Sequence, residues 1–250
     1  MRELYAIGIG AGDPTQLTVQ AVEALNAVDV VFVVDKGEEK RELAKLREEI
    51  CARYVEGAYR VVEIADPERD RSAAAYLDAV EAWRHARAAA WEKAIAAELG
   101  EGQRGAFLVW GDPALYDSTL AVLERIAAGG SLKLAYEPVP GIGSVQSLAA
   151  RHRISLTRPG GSLLITTGRR LAAEGLRGHD DIVVMLDASC AFKAFLEEGL
   201  DIHWGAYLAT PDELLVAGPL EQVAERIESL RAEARRRKGW IMDTYLLRRR

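Results

Sequence analysis

The sequence predicts an α/β protein made of two α/β halves. Two observations lead to this prediction. Short apolar runs of strand length alternate with segments of helical periodicity along all 250 residues. In addition, the tripeptide Gly-Asp-Pro occurs twice, at 12–14 and 111–113, each time directly behind such an apolar run. Repeated strand-ending loops place two similar turns at one edge of a sheet, which is where α/β folds bind ligands.

The first half is predicted to run from residue 1 to residue 138. It carries a long alanine-rich helical insertion, about 68–99, on which Trp83 and Trp91 recur at helical spacing. Aromatic residues at this spacing favour core packing, although they could also form a ring-stacking platform. The predicted strands are 4–10, 28–34, 59–64, 105–110 and 132–136, and the other predicted helices are 16–25, 40–54 and 118–127.

A stiff crossover, 137–144, separates the halves, because it combines two prolines and two glycines with no flexible polar tract. The second half, 139–250, ends in a helix whose basic residues, Arg231 and the cations within 235–238, indicate a solvated helix end. Its predicted helices are 145–152, 191–198 and 221–238, and its predicted strands are 162–167, 181–186, 204–208 and 214–219.

The first Gly-Asp-Pro loop follows a glycine-rich strand end with Gly8, Gly10 and Gly12 at alternate positions. Glycine allows positive φ and the close approach of a ligand, so this loop either binds a nucleotide-like ligand or only builds a tight turn. A dinucleotide fingerprint would need glycine at position 13, where Asp13 would repel a pyrophosphate. A P-loop is also excluded, because no Gly-Lys-Ser/Thr follows a glycine run.

Charge and cysteine content narrow the class of function. A net charge of −6 and the absence of any known nucleic-acid motif disfavour DNA and RNA as partners. With no apolar stretch long enough to cross a bilayer and an N-terminus that leads straight into a strand, we expect no membrane partner and cytoplasmic residence. Cys51 and Cys190 lie far apart without a Cys-x-x-Cys pair, so neither a disulfide nor a metal site is expected.

Three segments resemble the tetrapyrrole methylase family in their order and spacing. They are Tyr-Ala-Ile-Gly-Ile-Gly-Ala-Gly-Asp-Pro at 5–14, Trp-Gly-Asp-Pro-Ala-Leu-Tyr at 110–116 and Val-Pro-Gly-Ile-Gly-Ser at 139–144. The resemblance covers most of the chain. The inserted helix, the segment 33–37 and the tail 239–249 further resemble the branch of that family which methylates precorrin-5.

The resemblance implies a two-domain methyltransferase that uses S-adenosylmethionine, with the cofactor in the cleft between the domains, and a homodimer. At the positions of Trp110 and Gly143, relatives often carry a further glycine and a threonine or serine, respectively. The residues implied to bind the cofactor are Pro14, Trp110, Gly111, Asp112, Leu115, Gly143, Ser144, Met185, Tyr207 and Ala209.

The implied reaction is the methylation of precorrin-5 at carbon 1 of the corrin ring, with release of acetate, in cobalamin biosynthesis. This tetrapyrrole carries many carboxylates, and Lys36, Tyr116 and Arg153 are the expected substrate contacts. Acetate release needs a general base, but no catalytic residue can be assigned. The candidates are Asp35, Lys36, Tyr116, Asp117 and His152, and each could equally be a surface or capping residue.

Two alternatives remain open. The chain could be another methyltransferase of the same family that acts at a different corrin carbon, or a family member acting on diphthine or ribosomal RNA, which its acidity disfavours for RNA. It could also be a nucleotide-binding regulator without catalytic activity, because a fold does not fix a function.

Overall fold

The structure, a computed structural model, describes residues 1–35, 41–67 and 76–250. Its contacts group the described chain into two units. Unit 1 contains Met1–Gly10 and Pro14–Ile142, and unit 2 contains Ala11–Asp13 and Gly143–Arg250. Each unit has its own five-stranded sheet with helices, so the predicted α/β class is confirmed.

Unit 1 is built on a parallel sheet with the strand order β3-β2-β4-β1-β5. The sheet is covered by helices on both faces, which explains why its inner strands appear in the sequence as nearly continuous apolar runs. The strands are β1 (Arg2–Gly8), β2 (Val30–Asp35), β3 (Arg60–Ala65), β4 (Arg104–Val109) and β5 (Leu134–Val139). The helices are α1 (Val19–Asn26), α2 (Arg41–Tyr54), α3 (Tyr76–Glu98) and α4 (Thr119–Gly129).

Alternate residues of these strands pack against different helices. Leu4 and Phe107 belong to the cluster formed with α3 and α4, whereas Ile7 and Leu108 belong to the cluster formed with α1 and α2. Because successive strand residues point to opposite faces, the four helices are divided into two layers, one on each side of the sheet.

One of the two tryptophans of the inserted helix packs in the core as the sequence predicts. Trp91 is buried and stacks on Phe107, with ring centroids 4.1 Å apart. Trp83 donates from its indole nitrogen to the carbonyl of Pro67 at 2.9 Å. Core packing is therefore confirmed for Trp91, and Trp83 ties the same helix to the segment that follows β3.

Unit 2 has a mixed sheet with the strand order β6-β7-β10-β8-β9. The central strand is β10, which pairs antiparallel with both β7 and β8. In chain order its elements are α5 (Ser144–His152), β6 (Leu163–Thr167), α6 (Gly168–Glu174), β7 (Asp181–Met185), a 3₁₀ turn (Ala191–Phe195), β8 (Leu200–Ala206), β9 (Leu214–Pro219), α7 (Leu220–Lys238) and β10 (Asp243–Arg249).

Unit 2 differs from the sequence prediction in four elements. The predicted helix at 191–198 is a 3₁₀ turn, and β8 begins at Leu200, four residues before the predicted strand. The prediction omitted α6, which starts directly after β6, and β10. Strand β10 has charged residues at both ends and is apolar only at its centre. Its composition therefore does not indicate a strand, and only its pairing with β7 and β8 identifies it as one.

The prediction that Arg231 is solvated is wrong. Its side chain is buried, with 8% of the residue exposed, and pairs with Asp243 at 2.8 Å. The reason is helical geometry, because Arg231 lies one turn from Ile227 and Ala234, both of which are buried in the core of unit 2. The core-facing side of α7 therefore includes the buried guanidinium of Arg231.

Among residues 1–35, 41–67 and 76–250, no helix is both long enough and apolar enough to cross a membrane.

Candidate functional site

The carboxyl ends of β1 and β4 form a topological switch point in unit 1. These strands are neighbours in the sheet, but β1 leads to α1 on one face and β4 leads to α4 on the other. Where adjacent strands send their connections to opposite faces, a crevice opens at their carboxyl ends, and α/β proteins bind ligands there. The two Gly-Asp-Pro loops begin at this point.

The two loops are joined directly through their backbones. Gly10 and Gly111 form an isolated antiparallel bridge. The amide of Gly111 donates to the carbonyl of Gly10 at 2.8 Å, and the reverse bond is 3.3 Å long. Both residues have positive φ, 83° and 74° respectively, which explains why glycine occupies both positions.

A third glycine, Gly141 from the segment after β5, closes the junction. A Cβ atom at Gly141 would lie 2.2 Å from the carbonyl oxygen of Gly111, and one at Gly8 would lie 2.6 Å from the amide nitrogen of Gly141. Both distances are far below van der Waals contact. We call the close-packed set Gly8, Gly10, Gly111 and Gly141 the glycine junction.

The carboxylate of Asp112 fastens the glycine junction. One oxygen, Oδ2, accepts from the amide of Gly141 at 2.9 Å, and the other, Oδ1, accepts from the amide of Ala114 at 2.8 Å. The sequence predicts that Asp112 binds the cofactor, and this stays a prediction. The observed partners of the carboxylate are backbone amides of two neighbouring segments.

We expect Asp112→Ala to lower the free energy of unfolding by about 1–3 kcal/mol, because it leaves the amides of Gly141 and Ala114 without their acceptor. Asp112→Asn keeps one acceptor oxygen and is expected to cost less. Urea denaturation measures both values. Glu124→Ala, on the exposed face of α4, is the control and should stay within about 0.5 kcal/mol of the original protein. A wild-type stability for Asp112→Ala would contradict the fastening role.

Four more predicted residues surround this edge of unit 1. Pro14 begins the 3₁₀ turn Pro14–Gln16, and Trp110 packs partly against the core on the side of α1 and α2. The amide of Leu115 donates to the carbonyl of Asp112 at 3.3 Å. Tyr116 is 46% exposed and has a φ of 52°. The structure therefore brings those predicted residues of the first half that it describes to one edge of one sheet.

The predicted cofactor-binding residues of the second half lie at the carboxyl edge of the other sheet. Since β7 and β8 are both antiparallel to β10, and β6 is parallel to β7, the carboxyl ends of β6, β7 and β8 share one edge. Met185 ends β7 at this edge, opposite Thr244 of β10. The hydroxyl of Thr244 donates to that of Ser144, the first residue of α5, which Gly143 precedes as the N-cap residue.

The loop after β8 contains Tyr207 and Ala209 in left-handed backbone conformations, with φ of 48° and 62°. The amide and the hydroxyl of Tyr207 donate to the carbonyls of Met242 and Trp240 at 2.9 and 2.6 Å. The amide of Ala209 donates to the carboxylate of Glu213 at 2.8 Å. Strained backbone held by several hydrogen bonds is characteristic of ligand sites.

Gly12, at the start of the first Gly-Asp-Pro sequence, packs closely against this loop within unit 2. A Cβ atom at Gly12 would lie 2.5 Å from Cγ2 of Thr210 and 3.0 Å from the carbonyl oxygen of Leu208. Two reasons, space and a φ of 157°, therefore require glycine at this position.

One predicted substrate contact, Arg153, lies elsewhere. Arg153 caps the C-terminal end of α5, about 13 Å along the helix axis from Ser144 at 1.5 Å per residue. The structure therefore does not bring Arg153 to the edge where Ser144 lies. Lys36 falls outside the described residues, and so does the side chain of Asp35.

Two of the candidate bases, His152 and Asp117, have structural partners. Nε2 of His152 lies 3.0 Å from the carbonyl oxygen of Trp204. Oδ1 of Asp117 accepts from the amide of Thr119, the first residue of α4, at 2.7 Å, and Asp117 lies one position before the N-cap residue Ser118. These contacts give Asp117 and His152 structural roles and leave the catalytic base unassigned.

The sequence analysis missed a buried polar network beneath the second edge. The carboxylate of Asp187 accepts from the hydroxyl of Tyr245 at 2.7 Å and from the amides of Ser189 and Ala191 at 2.9 and 2.7 Å. Arg231 donates to the carbonyl of Asp187 and to the carboxylate of Asp243. The sequence does contain a signal for this network, because Asp187 directly follows a predicted buried strand.

Electrostatics fix the protonation states of Arg231 and Tyr245, whereas burial raises the pKa of Asp243 against the opposing charge of Arg231. Burial by itself would lower the pKa of Arg231, but the charge and hydrogen bonds of Asp243 outweigh it and raise that pKa. Burial, together with the neighbouring charge of Asp187, also raises the pKa of Tyr245. The guanidinium therefore stays charged and the phenol stays a donor.

The network supports an unusual turn. Leu186, between Met185 and Asp187, has a φ of 53° and is 63% exposed. A left-handed backbone is strained for leucine, and exposing its apolar side chain to solvent is unfavourable. The hydrogen bonds of the neighbouring Asp187 keep Leu186 in this conformation. The turn lies at the same edge as the predicted cofactor residues.

Arg47 of α2 was also missed. Its Nε donates to the carbonyl of Leu108 at 3.0 Å, beyond the point where the β2–β4 ladder stops at Phe32 and Phe107. Burial lowers the pKa of Arg47, and the charge of Asp117 opposes this shift. A helical cation thus occupies the position where β2 and β4 diverge.

Comparison with known proteins adds an independent line of evidence. Residues 3–224 match the model of the family described as tetrapyrrole (corrin/porphyrin) methylases. The chain is 47% identical to the precorrin-6A synthase [deacetylating] of Sinorhizobium sp. over 249 residues, which is 99% of this chain and 95% of that protein.

Solved structures show the same fold. A cobalamin-synthesis-related protein (CobF) of Corynebacterium diphtheriae superposes with a TM-score of 0.86 and 35% identity, covering 99% of this chain and 98% of that one. A uroporphyrin-III C-methyltransferase of Thermus thermophilus, solved with S-adenosylhomocysteine, superposes with a TM-score of 0.62 and 18% identity over 98% of this chain and 96% of that one.

Proposed function

Because the chain belongs to the tetrapyrrole (corrin/porphyrin) methylase family, we propose that it is an S-adenosylmethionine-dependent methyltransferase of cobalamin biosynthesis. It methylates precorrin-5 at carbon 1 and releases acetate, giving precorrin-6A. The observation that carries the proposal is the 47% identity to a precorrin-6A synthase along 99% of this chain.

The residues at the two sheet edges suit a cofactor of this kind. The glycine junction packs three backbone segments against one another at a switch point, and Ser144 and the loop 207–209 offer hydroxyl and backbone groups. The acidic residues Asp13 and Asp112 disfavour a pyrophosphate but are compatible with a sulfonium cation. The cleft location that the resemblance implies stays a prediction.

When bound, S-adenosylmethionine supplies an activated methyl group, whose transfer to carbon needs alignment and exclusion of water more than a strong base. This chain's contribution is therefore chiefly positional. The glycine junction and Asp112 fix the loops at the carboxyl edge of the first sheet. Strand β10 and the buried network fix those at the carboxyl edge of the second sheet. In the same turnover water adds to the carbonyl carbon of the two-carbon acyl group, the bond from that carbon to the ring breaks with its electron pair left on the ring, and the group leaves as acetate.

Carboxylate recognition needs cations, and unit 2 places two exposed ones at the appropriate edge. Arg169 and Arg170 lie in the first turn of α6, two and three residues after β6 ends, and the carboxyl end of β6 lies beside that of β7. Arg170 also pairs with Glu174 of the same helix at 3.0 Å. Guanidinium groups bind carboxylates in a bidentate manner, so these two arginines support an acidic tetrapyrrole as the substrate.

The proposal also includes cytoplasmic residence and a homodimer, both of which rest on the sequence resemblance. Sedimentation equilibrium of the purified protein at micromolar concentration tests the dimer. A monomer at all concentrations would remove the dimer from the proposal without affecting the reaction.

The decisive experiment incubates the protein with precorrin-5 and S-adenosylmethionine labelled in its methyl group. We expect a product carrying one additional labelled methyl group and an equimolar amount of acetate. Labelled product without acetate would move the reaction to a different corrin carbon. Binding of S-adenosylhomocysteine without turnover would favour a regulator, and absence of binding by calorimetry would refute the cofactor assignment.

A further inference from the structure

The tail of the chain supplies β10, the central strand of the second sheet. Thr244 lies at the end of β10 that is nearest to the predicted cofactor residues. The backbone of Thr244 is paired with Met185 of β7 on one side and with Gly205 of β8 on the other. The residue is 3% exposed. It therefore has little contact with solvent, and its side chain acts on protein neighbours.

The hydroxyl of Thr244 donates to Oγ of Ser144 at 3.1 Å. Ser144 is half-buried and is the first residue of α5. A serine hydroxyl carries one hydrogen and two lone pairs. Since Thr244 supplies a hydrogen to that oxygen, the hydrogen of Ser144 itself is directed to a different acceptor.

We infer that Thr244 is a positioning residue that sets Ser144 as a hydrogen-bond donor towards an acceptor oxygen of the bound cofactor. The inference rests on the proposed function, in which Ser144 contacts S-adenosylmethionine. Hydroxyl and carboxylate oxygens of that molecule are acceptors of the required kind. The N-terminal end of α5 has the same polarity, because backbone N–H groups and the helix dipole favour acceptors there.

The segment that carries Thr244 is held rigidly. Asp243, immediately before it, pairs with Arg231 of α7 and accepts from the indole nitrogen of Trp204 at 2.8 Å. Trp240 and Met242 precede Asp243 in the same segment. Their carbonyl oxygens accept from the hydroxyl and the amide of Tyr207, respectively. A single stretch of tail thus reaches Ser144, Met185 and Tyr207, three residues predicted to bind the cofactor.

Thr244→Val tests the inference, because valine keeps the shape and strand preference of threonine but lacks the hydroxyl. We expect the Kd for S-adenosylhomocysteine and the KM for S-adenosylmethionine to rise about five- to tenfold, the value of one hydrogen bond, with kcat within about twofold. Thr244→Ser restores the hydroxyl and should return both constants to within about twofold of the original.

Thr166→Val is the matched control, since Thr166 is a buried threonine of β6 in the same sheet, and it should leave the Kd unchanged. Ser144→Ala tests the same bond from its other side and does not depend on how Thr244→Val folds. If the two residues act as one unit, the Kd of the double variant Ser144→Ala/Thr244→Val for S-adenosylhomocysteine is no higher than the higher of the two single-variant values.

The outcomes separate the two proposals. If the unaltered protein fails to bind S-adenosylhomocysteine, the proposed function is wrong. If it binds, the inference is overturned by wild-type affinity in Thr244→Val, by failure of Thr244→Ser to restore affinity, or by additive effects in the double variant. An unfolding temperature for each variant distinguishes loss of binding from loss of structure.

Discussion

Replacing Arg231 by methionine is expected to lower the free energy of unfolding by about 3–5 kcal/mol, because it leaves the carboxylate of Asp243 buried without its partner. In the native protein the guanidinium bonds Asp243 at 2.8 Å and also donates to the carbonyl of Asp187 and the sulfur of Cys190. All three groups would lose a donor at once. Urea denaturation followed by circular dichroism measures the change.

Two variants make the Arg231 experiment specific. Arg236→Met removes an exposed arginine from the same helix and should change stability by no more than about 0.5 kcal/mol. Arg231→Met/Asp243→Asn removes both charges, so it should be less destabilised than Arg231→Met. A loss below about 1 kcal/mol for Arg231→Met would show that the pair carries little of the stability of unit 2.

The Arg231 variant should also affect binding. Its bond to the carbonyl of Asp187 supports the turn of Leu186, which follows Met185. We therefore expect weaker binding of S-adenosylhomocysteine even under conditions where Arg231→Met remains folded.

The second large effect is expected at Gly141. Alanine at this position would place its Cβ atom 2.2 Å from the carbonyl oxygen of Gly111 and 2.8 Å from the carbonyl carbon of Gly8. Backbone atoms of two strand ends cannot rotate away as a flexible side chain can. Gly141→Ala should therefore cost about 3 kcal/mol or more, at the upper end of over-packing effects, and should abolish cofactor binding by separating the loops.

Gly129→Ala provides a control of opposite sign. Gly129 is the last residue of α4, and a Cβ atom there meets nothing within 4 Å. Alanine favours helix over glycine by about 0.5–1 kcal/mol, so this variant should be as stable as the original or slightly more so. Equal stability of Gly141→Ala and Gly129→Ala would mean that the glycine junction is not closely packed in solution.

The first sheet was predictable because its strands are parallel and its three inner strands, β2, β4 and β1, are covered on both faces. Such strands are continuous apolar runs bounded by turn residues, and all five were predicted within a few residues of their bounds. The tail strand β10 was not, because Asp243, Arg248 and Arg249 flank its apolar centre. Those charges are satisfied by partners distant in sequence, as the pair Arg248–Asp181 shows.

The candidate site was predictable to a comparable degree. Motif residues such as Gly111 and Met185 lie at the carboxyl edges of their sheets, since a motif behind a strand is necessarily at that strand's end. The distance of Arg153 from Ser144 depends on the helix between them. The role of Thr244 was likewise inaccessible, because its partner Ser144 is 100 residues away.

The sequence by itself determined the α/β class, the family and the loops where a ligand is expected, because these depend on local periodicity and on short motifs. The tertiary structure decided which polar groups meet. The fastening of Gly141 by Asp112, the burial of Arg231 against Asp243 and the bond from Thr244 to Ser144 all join residues brought together by strand order and helix packing. Such contacts depend on distance in space, which spacing along the chain does not encode.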